Sequence, residues 1–552
     1  MIVVYFILLV GVLIFVHELG HFLFAKLFDV KVLKFSLGFG PKATGFHRGE
    51  TEYCVGWLPL GGFVKMLGED PNDEIRREDQ GRAFHQKPLW QRYIVVFAGP
   101  AFNLIFPIFI YVVFFAAHTT LLPAVIGKSF RGQPAAEAGL LPGDTIVEIN
   151  GKKVRYWEDL KRQISGHPSE SLKFRIERDG KTFERFITPR EHVRQHPLGY
   201  KERYGLVGIS PYFELAQIGI SDPRSPAARA RLQTGDLITS VNGHPVERWA
   251  DLAKRLRRNR GQALNVSYLR PGGTVSGFFD LHLLAPAVAV VDPTPTIVAG
   301  SIKGYQTGIH SAEFFVQHVE RDSPAWTIGM RSGDRVVAFN GKPVTHWELI
   351  ELELRSRRSQ KGGGHTIRWI PFGGTETSGK FKLARKTFTD EYKQEQVRYV
   401  FGAHNRLLTK SADPIPIEGR IGYAISESVR KTGEIVGVMT VAFVQLFRGA
   451  ISSDTIGGPV MLAYTAHVAA KKGWDHFLWM MAVISINLGI INLLPIPILD
   501  GGHIMFFTFE AIKRRPLSLR AREIASYIGL FLLISLMVFA LKNDLVRYLF
   551  TK

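Results

Sequence analysis

The sequence predicts a polytopic α-helical membrane protein with a small β-loop at the membrane and soluble α+β domains inserted between its helices. Three observations carry that class. The hydrophobic fraction, 46%, is ordinary for a soluble protein, yet the apolar residues crowd into four stretches at about 1–28, 93–120, 478–512 and 523–543. A helix crossing a bilayer core takes roughly 20 residues. Between the second and third stretches the chain is soluble in composition and repeats itself three times. The first stretch also holds His17-Glu18-Leu19-Gly20-His21, three ionisable side chains where hydrocarbon makes them costly.

Residues 1–28 read as the first transmembrane helix rather than a signal peptide. They lack a basic n-region, and cleavage after the apolar core would detach the histidines from the rest. On a helix, His17 and His21 project from one face a turn apart. That spacing suits two ligands of one zinc ion, with Glu18 beside them as general base. The plain alternative is a chance match, against which burial in hydrocarbon argues.

Lys26, Lys31, Lys34 and Lys42 follow, then Arg76, Arg77, Arg82, Lys87 and Arg92. By the positive-inside rule residues 29–92 are cytoplasmic and the N-terminus is outside. Val32–Phe39, Glu52–Trp57 and Gly62–Met66 carry strand signals, punctuated at Gly38–Pro41 and Pro59–Gly62. We expect a β-hairpin arrangement dipping back toward the membrane, with a plain cytoplasmic hairpin as the alternative. A free strand edge there can hold an extended peptide by β-augmentation. The second span, 93–120, contains Gly99-Pro100-Ala101-Phe102-Asn103, whose small residues and amide favour close helix contact and interhelical hydrogen bonds.

From 121 to 405 one pattern recurs. Pro134-Ala135, Pro226-Ala227 and Pro324-Ala325 each stand nine residues before a Gly-Asp pair: Gly143-Asp144, Gly235-Asp236 and Gly333-Asp334. Seven residues after those glycines come Asn150-Gly151, Asn242-Gly243 and Asn340-Gly341, and fourteen after come Trp157, Trp249 and Trp347. The Asn-Gly pairs mark tight hairpins, and each unit is large enough to be a domain, so this is tandem duplication. The pattern resembles the PDZ domain in its bacterial form, placing PDZ-like domains at 121–205, 206–290 and 300–405. Gly205–Ile209 and Tyr305–Ile309 are similar to its binding-loop segments. Residues 406–477 follow, where the apolar run Ile435–Phe447 is short for a span and reads as an interfacial amphipathic helix.

Lys513, Arg514, Arg515, Arg520 and Arg522 lie between the last two spans and put that loop in the cytoplasm, which agrees with four crossings. Two histidines leave zinc short, since catalytic sites commonly use three protein ligands and a water. Asp500, in Asn487–His503 (NLGIINLLPIPILDGGH), is the candidate third ligand. From Ile2 to His17 is about 22 Å of helix, and Leu478 to Asp500 is a similar distance on a second out-to-in span. His503 is a rival ligand, and an Asp500 that merely caps a broken helix is the plain alternative.

With these residues on the page the chain resembles the site-2 protease family over almost its whole length. The resemblance implies zinc bound by His17, His21 and Asp500, and Glu18 as catalytic base. It implies that Asn487 and Asn492 lie near bound substrate. Val55–Met66 is similar to the family's membrane-re-entrant β-loop, which makes Gly61, Gly62, Phe63 and Val64 candidate substrate-binding residues. It further implies hydrolysis of peptide bonds within transmembrane segments of single-pass membrane proteins, after an upstream site-1-type protease has acted on the same substrate. The setting is a bacterial inner membrane, with the PDZ-like domains extracytoplasmic. The family's familiar form has two such domains, and this chain has three. A catalytically silent scaffold that binds protein tails through these domains is the rival reading, but it leaves Glu18 and the ligands without purpose. A transporter is a second rival, though no inverted repeat is evident. The net charge of +20 is scattered, without a nucleic-acid motif, and suits anionic lipid rather than nucleic acid. The single cysteine, Cys54, excludes a disulfide framework.

Overall fold

The structure, a computed structural model, describes residues 1–69, 75–195, 201–259, 261–275, 281–298, 301–356, 362–390, 395–451, 456–515 and 517–550. Four of its helices are long and apolar enough to cross a membrane: Ile2–Leu27, Leu89–Ala117, Trp474–Asn492 and Arg520–Tyr548. The first three pack together. Leu9 and Leu13, Ile110 and Tyr111, and Phe477, Met480 and Met481 form one buried cluster. Ala466 and Ala469 join it from a further helix, Pro459–Lys472, which the sequence reading did not separate within 406–477. Its 14 residues fall short of a span and carry small alanines, so composition alone gave it no distinct signal.

The third apolar stretch is not one helix. It ends at Asn492, runs irregularly through Leu493–Leu499, and restarts at Asp500–Lys513. Pro495 and Pro497 supply no N–H and push their predecessors toward extended backbone, which stops the helix. The expected span 478–512 is therefore two helices joined by a break, and Asp500 stands on the first turn of the second.

The β-loop folds more fully than expected. Its two long strands, Val32–Arg48 and Thr51–Met66, double back to give four adjacent segments. Gly62–Met66 pairs with Val32–Leu37, Glu52–Val55 lies beyond that, and Lys42–Arg48 is outermost. The last segment escaped the sequence reading because Gly38, Gly40 and Pro41 looked like a terminus. Among the described residues, Gly62–Met66 pairs with strand on one side only. Ala25, Val30, Val32, Phe35, Val64, Met66 and Val95 tie this sheet to the ends of the first two helices.

Three similar α+β units lie between the second helix and Arg420–Phe447. Each has a four-stranded antiparallel sheet, a one-turn helix starting at its Pro-Ala pair, and a longer helix starting at its tryptophan: Trp157–Ser165, Trp249–Arg258 and Trp347–Leu354. Positive φ at both residues of Asn150-Gly151, Asn242-Gly243 and Asn340-Gly341 makes each a two-residue hairpin turn. The expected edges shift. Val207 and Ile209 pack into the first core and Ile309 into the second, so each unit keeps its glycine-bearing segment at its own C-terminal end. The backbone agrees, for Ala135, Ala227 and Ala325 donate to the carbonyls of Val207, Thr307 and Phe401. Boundaries at 205/206 and 290/300 thus cut across cores, and residue 300 itself lies outside the described residues. The units hang from a two-stranded stem, Thr120–Leu121 against Ile415–Pro416.

Arg420–Phe447 is a single 28-residue helix that packs beside the second helix. Its polarity is reversed from that of a soluble surface helix. Ala424, Glu427, Ser428 and Thr432 are buried, whereas Ile421, Ile425 and Val429 are exposed one turn apart.

Candidate metal centre

The first helix presents His17 and His21 on one face, and the broken helix restarts so that Asp500 meets them. Asp500 Oδ2 lies 3.1 Å from His17 Nε2, Asp500 Oδ1 3.5 Å from His21 Nε2, and the two Nε2 atoms are 3.3 Å apart. Donors bonded to one tetrahedral zinc ion at about 2.0–2.2 Å stand roughly 3.3–3.6 Å from one another. The two histidine nitrogens stand at that spacing, both oxygens of the Asp500 carboxylate face them at 3.1 and 3.5 Å, and the donor types are those zinc takes. Among the described residues these three form the one group whose donor atoms all lie within 4.8 Å of one another.

The next layer orients the imidazoles. His21 Nδ1 lies 2.9 Å from the Val95 carbonyl, which can accept only from a protonated Nδ1, so Nε2 is left free to bind a metal. His17 Nδ1 lies 3.1 Å from the Asn103 amide nitrogen, while Asn103 Oδ1 is buried with no partner. Amide orientation is an assignment, and turning this amide by 180° presents Oδ1 to His17 Nδ1–H. The turned amide satisfies the orphaned oxygen and leaves His17 Nε2 unprotonated, as a ligand must be. Asn103 is wholly buried, and its carbonyl accepts a 2.7 Å hydrogen bond from the Ser485 hydroxyl, linking the second and third apolar helices. In the sequence Asn103 reads as a packing residue. Its signal was an amide inside a span, and nothing in the sequence tied that amide to His17. Gly99 is the companion: a Cβ there would lie 2.2 Å from His21 Nε2.

Glu18 is buried beside the triangle without belonging to it. It faces a cavity of about 600 Å³ that also takes in Gly62, Phe63, Val64, Arg92, His503 and Tyr527. A Cβ on Gly62 would stand 3.1 Å from Glu18 Cγ, so the strand passes close to the Glu18 side chain at this glycine. At the cavity's outer side Arg92 pairs with Glu510 at 2.6 Å, joining the second helix to the Asp500 helix.

The other expected site residues divide. Asn492 Nδ2 approaches His17 Nε2 at 3.5 Å, whereas Asn487 shows no hydrogen bond to the cluster among the described residues. Gly61 does not line the cavity, and a Cβ there would run into the Phe39 ring. His503 lines the cavity but stands outside the donor triangle.

A carboxylate and two imidazoles converge among apolar helices, with an acid beside them and an open strand edge alongside. That fold and site define the chain as a membrane-embedded metal-dependent hydrolase. It belongs to peptidase family M50, whose model matches residues 5–536, and is a zinc metalloprotease of the site-2 type. Relatives align along nearly their full length. A candidate zinc metalloprotease of Vibrio cholerae is 28% identical over 552 residues, covering 98% of each chain. One from Thermotoga maritima is 29% identical over 560 residues, 99% of each. A protein of Haemophilus influenzae named regulator of sigma E protease is 27% identical over 552 residues, 98% of each.

Proposed function

We propose that the chain is an intramembrane protease of the bacterial inner membrane that hydrolyses peptide bonds in the transmembrane segments of other membrane proteins. His17, His21 and Asp500 hold the zinc ion, which when bound supplies Lewis acidity toward water and the peptide carbonyl. Glu18 takes the proton of the attacking water on its carboxylate and delivers it to the departing amide nitrogen. The observation that carries this reading is that Glu18, the three donors and the Gly62–Val64 strand line one cavity, with Gly62 close against the Glu18 side chain. Helical substrate hides its peptide bonds. A strand lining the cavity and paired on one side only would stretch the chain by β-augmentation and bring the scissile carbonyl to Glu18. Asn492, close to His17, is positioned to donate to the developing oxyanion.

The β-loop lies on the cytoplasmic side by its charge, with Phe39, Trp57 and Leu58 exposed at its tips as membrane contacts. The reversed helix Arg420–Phe447 turns Ile421, Ile425 and Val429 to lipid at the opposite interface. The three units are PDZ-like domains on the extracytoplasmic side. They admit substrates whose outer domains an upstream protease has removed, such as a trimmed anti-sigma factor. The test uses one single-pass substrate in reconstituted vesicles, offered with and without a folded outer domain. Cleavage within its span by the native enzyme, lost in Glu18→Gln, is the expected result. Cleavage outside the span would refute the reading.

A further inference from the structure

The first and third repeated units and the connections on either side of the second meet at one buried ammonium group. Lys128 lies on the short strand Lys128–Ser129 of the first unit and is almost wholly buried. Its Nζ stands 2.6 Å from Glu214, on the strand that leads from the first unit into the second. It stands 2.5 Å from Glu313, in the one-turn helix Ala312–Phe314 between the second unit and the third. It also lies 3.2 Å from both carboxylate oxygens of Glu348, on the Trp347–Leu354 helix of the third unit. Four segments far apart in sequence thus converge on one side chain. Beside it, Phe130 of the first unit packs edge-on against His346 of the third at 5.0 Å.

The surroundings show a junction rather than a chance touch. A cavity of about 790 Å³ is walled by all three units, with Leu141 from the first, Trp249 from the second and His346 from the third. Asn405, just past the third unit, donates to the carbonyls of Ala312, Glu313 and Phe315, which holds the Glu313 turn in place. The third unit also reaches the second directly, where Gly373 N–H donates to the Ser221 carbonyl. At the centre one ammonium faces three carboxyl groups, and Arg131 and Arg248 stand in the wall of the same cavity. Burial and the neighbouring Glu214 charge hold the Glu313 carboxyl well above the usual carboxylate range, and three carboxylates drive Lys128 upward in turn. Without Lys128 the acids would repel one another in a poorly solvated place, so the closed arrangement depends on it.

We propose that Lys128 is the clasp that closes the three units into one rigid layer, and that this closure sets which substrates the protease admits. The second half rests on the size-filter reading above. A layer closed at one point excludes a folded outer domain. The same units, released from Glu348, swing on their connecting strands and leave a gap.

The test compares full-length enzyme in detergent with Glu348→Gln and Lys128→Met. Glu348 is half exposed, at 50%, so its replacement does not endanger the fold, whereas Lys128→Met removes the centre itself. Hydrogen exchange is followed at 127–130, 311–315 and 346–350, and separately in the core strands Thr145–Ile149, Leu237–Val241 and Arg335–Phe339. We expect both variants to exchange at least tenfold faster at the three junction segments while the core strands stay protected. Unchanged junction exchange in both variants overturns the clasp. Loss of core protection along with the junction overturns it too, because Lys128 would then be holding the units folded rather than together. The cleavage arm measures the rate ratio for one membrane substrate with and without its folded outer domain. Closure as filter predicts that the ratio moves at least tenfold toward unity in Glu348→Gln, with the trimmed substrate cut at the native rate. An open junction with an unchanged ratio overturns the filtering half and leaves the clasp standing. Failure of the native enzyme to cut either substrate counts against the protease reading, while the exchange result still decides the clasp.

Discussion

At the scale of single residues, the site separates ligand, base and orienting roles that a motif leaves merged. Glu18 adjoins the donor triangle without contributing to it, so Glu18→Gln retains one zinc per chain by elemental analysis and loses cleavage. General-base work contributes about 10²–10⁴-fold, which sets the size of the loss. Asp500→Ala removes one of three donors and empties the site, whereas His503→Ala, lacking a place in the triangle, leaves zinc content at one. Asn103 tests the turned amide. Asn103→Leu removes the acceptor for His17 Nδ1–H and weakens zinc affinity by about 10–100-fold, the usual cost of losing such a partner. Asn103→Asp keeps an acceptor oxygen and retains more affinity than Asn103→Leu in a chelator titration. Equal loss in both would mean that the amide nitrogen, not the oxygen, faces the histidine.

At the scale of elements, the β-loop is held in place by charge as well as by its apolar contacts. Glu50, at the turn between its long strands, accepts from Lys26 at 2.6 Å and from Arg82 at 2.8 and 2.9 Å. Arg82, and then Lys26, bring its carboxyl down to about 2. The group is partly exposed, so each pair is worth about 1 kcal/mol or less. Glu50→Ala therefore leaves the enzyme folded but loosens the loop, raising protease nicking within 40–60 and the apparent KM for membrane substrate more than it lowers kcat. A loop that served only to fill space would leave KM unchanged. The folded carboxyl titrates below its unfolded value of about 4.5, so this contribution is present above that pH and fades as pH falls toward 2.

At the scale of the whole molecule, the repeated units carry a pH dependence of their own. His310 and His346 are held down by burial, to about 4 and about 3, with Arg335 adding to the first and Lys128 and Arg131 to the second. An unfolded histidine takes its proton near 6.5. Between those values the unfolded chain binds more protons, so stability rises with pH and is lost as pH falls below 6.5. The buried Glu313 works in the opposite sense, its contribution fading as pH rises through about 8. The histidine term is therefore read as a difference. Comparing pH 7.5 with pH 5.5 by thermal unfolding, the native chain loses more stability than H310N/H346N by about 1 kcal/mol per histidine. An equal loss in both chains would show that neither histidine is kept neutral by the fold.

Much of this protein is written in local pattern. HELGH on an apolar helix, the three offsets from Pro-Ala to tryptophan, and the Asn-Gly turns are short-range signals, because helix faces and two-residue turns are decided by residues a few positions apart. Asp500 was legible through its chemistry and the prolines before it. The rest depended on distance in sequence. That the apolar run breaks at Leu493–Leu499 to swing Asp500 onto the histidines was readable only in outline. Asn103 lies 86 residues from His17, and Lys128 lies 220 from Glu348. Asn103 and Lys128 look like ordinary polar residues until packing buries them and denies them water, at which point a donor must find its acceptor within the fold. The sequence by itself determined the apolar helices in outline, the three repeated units and the zinc chemistry. Tertiary structure alone decided which buried polar groups answer one another, because burial is a property of the assembled chain.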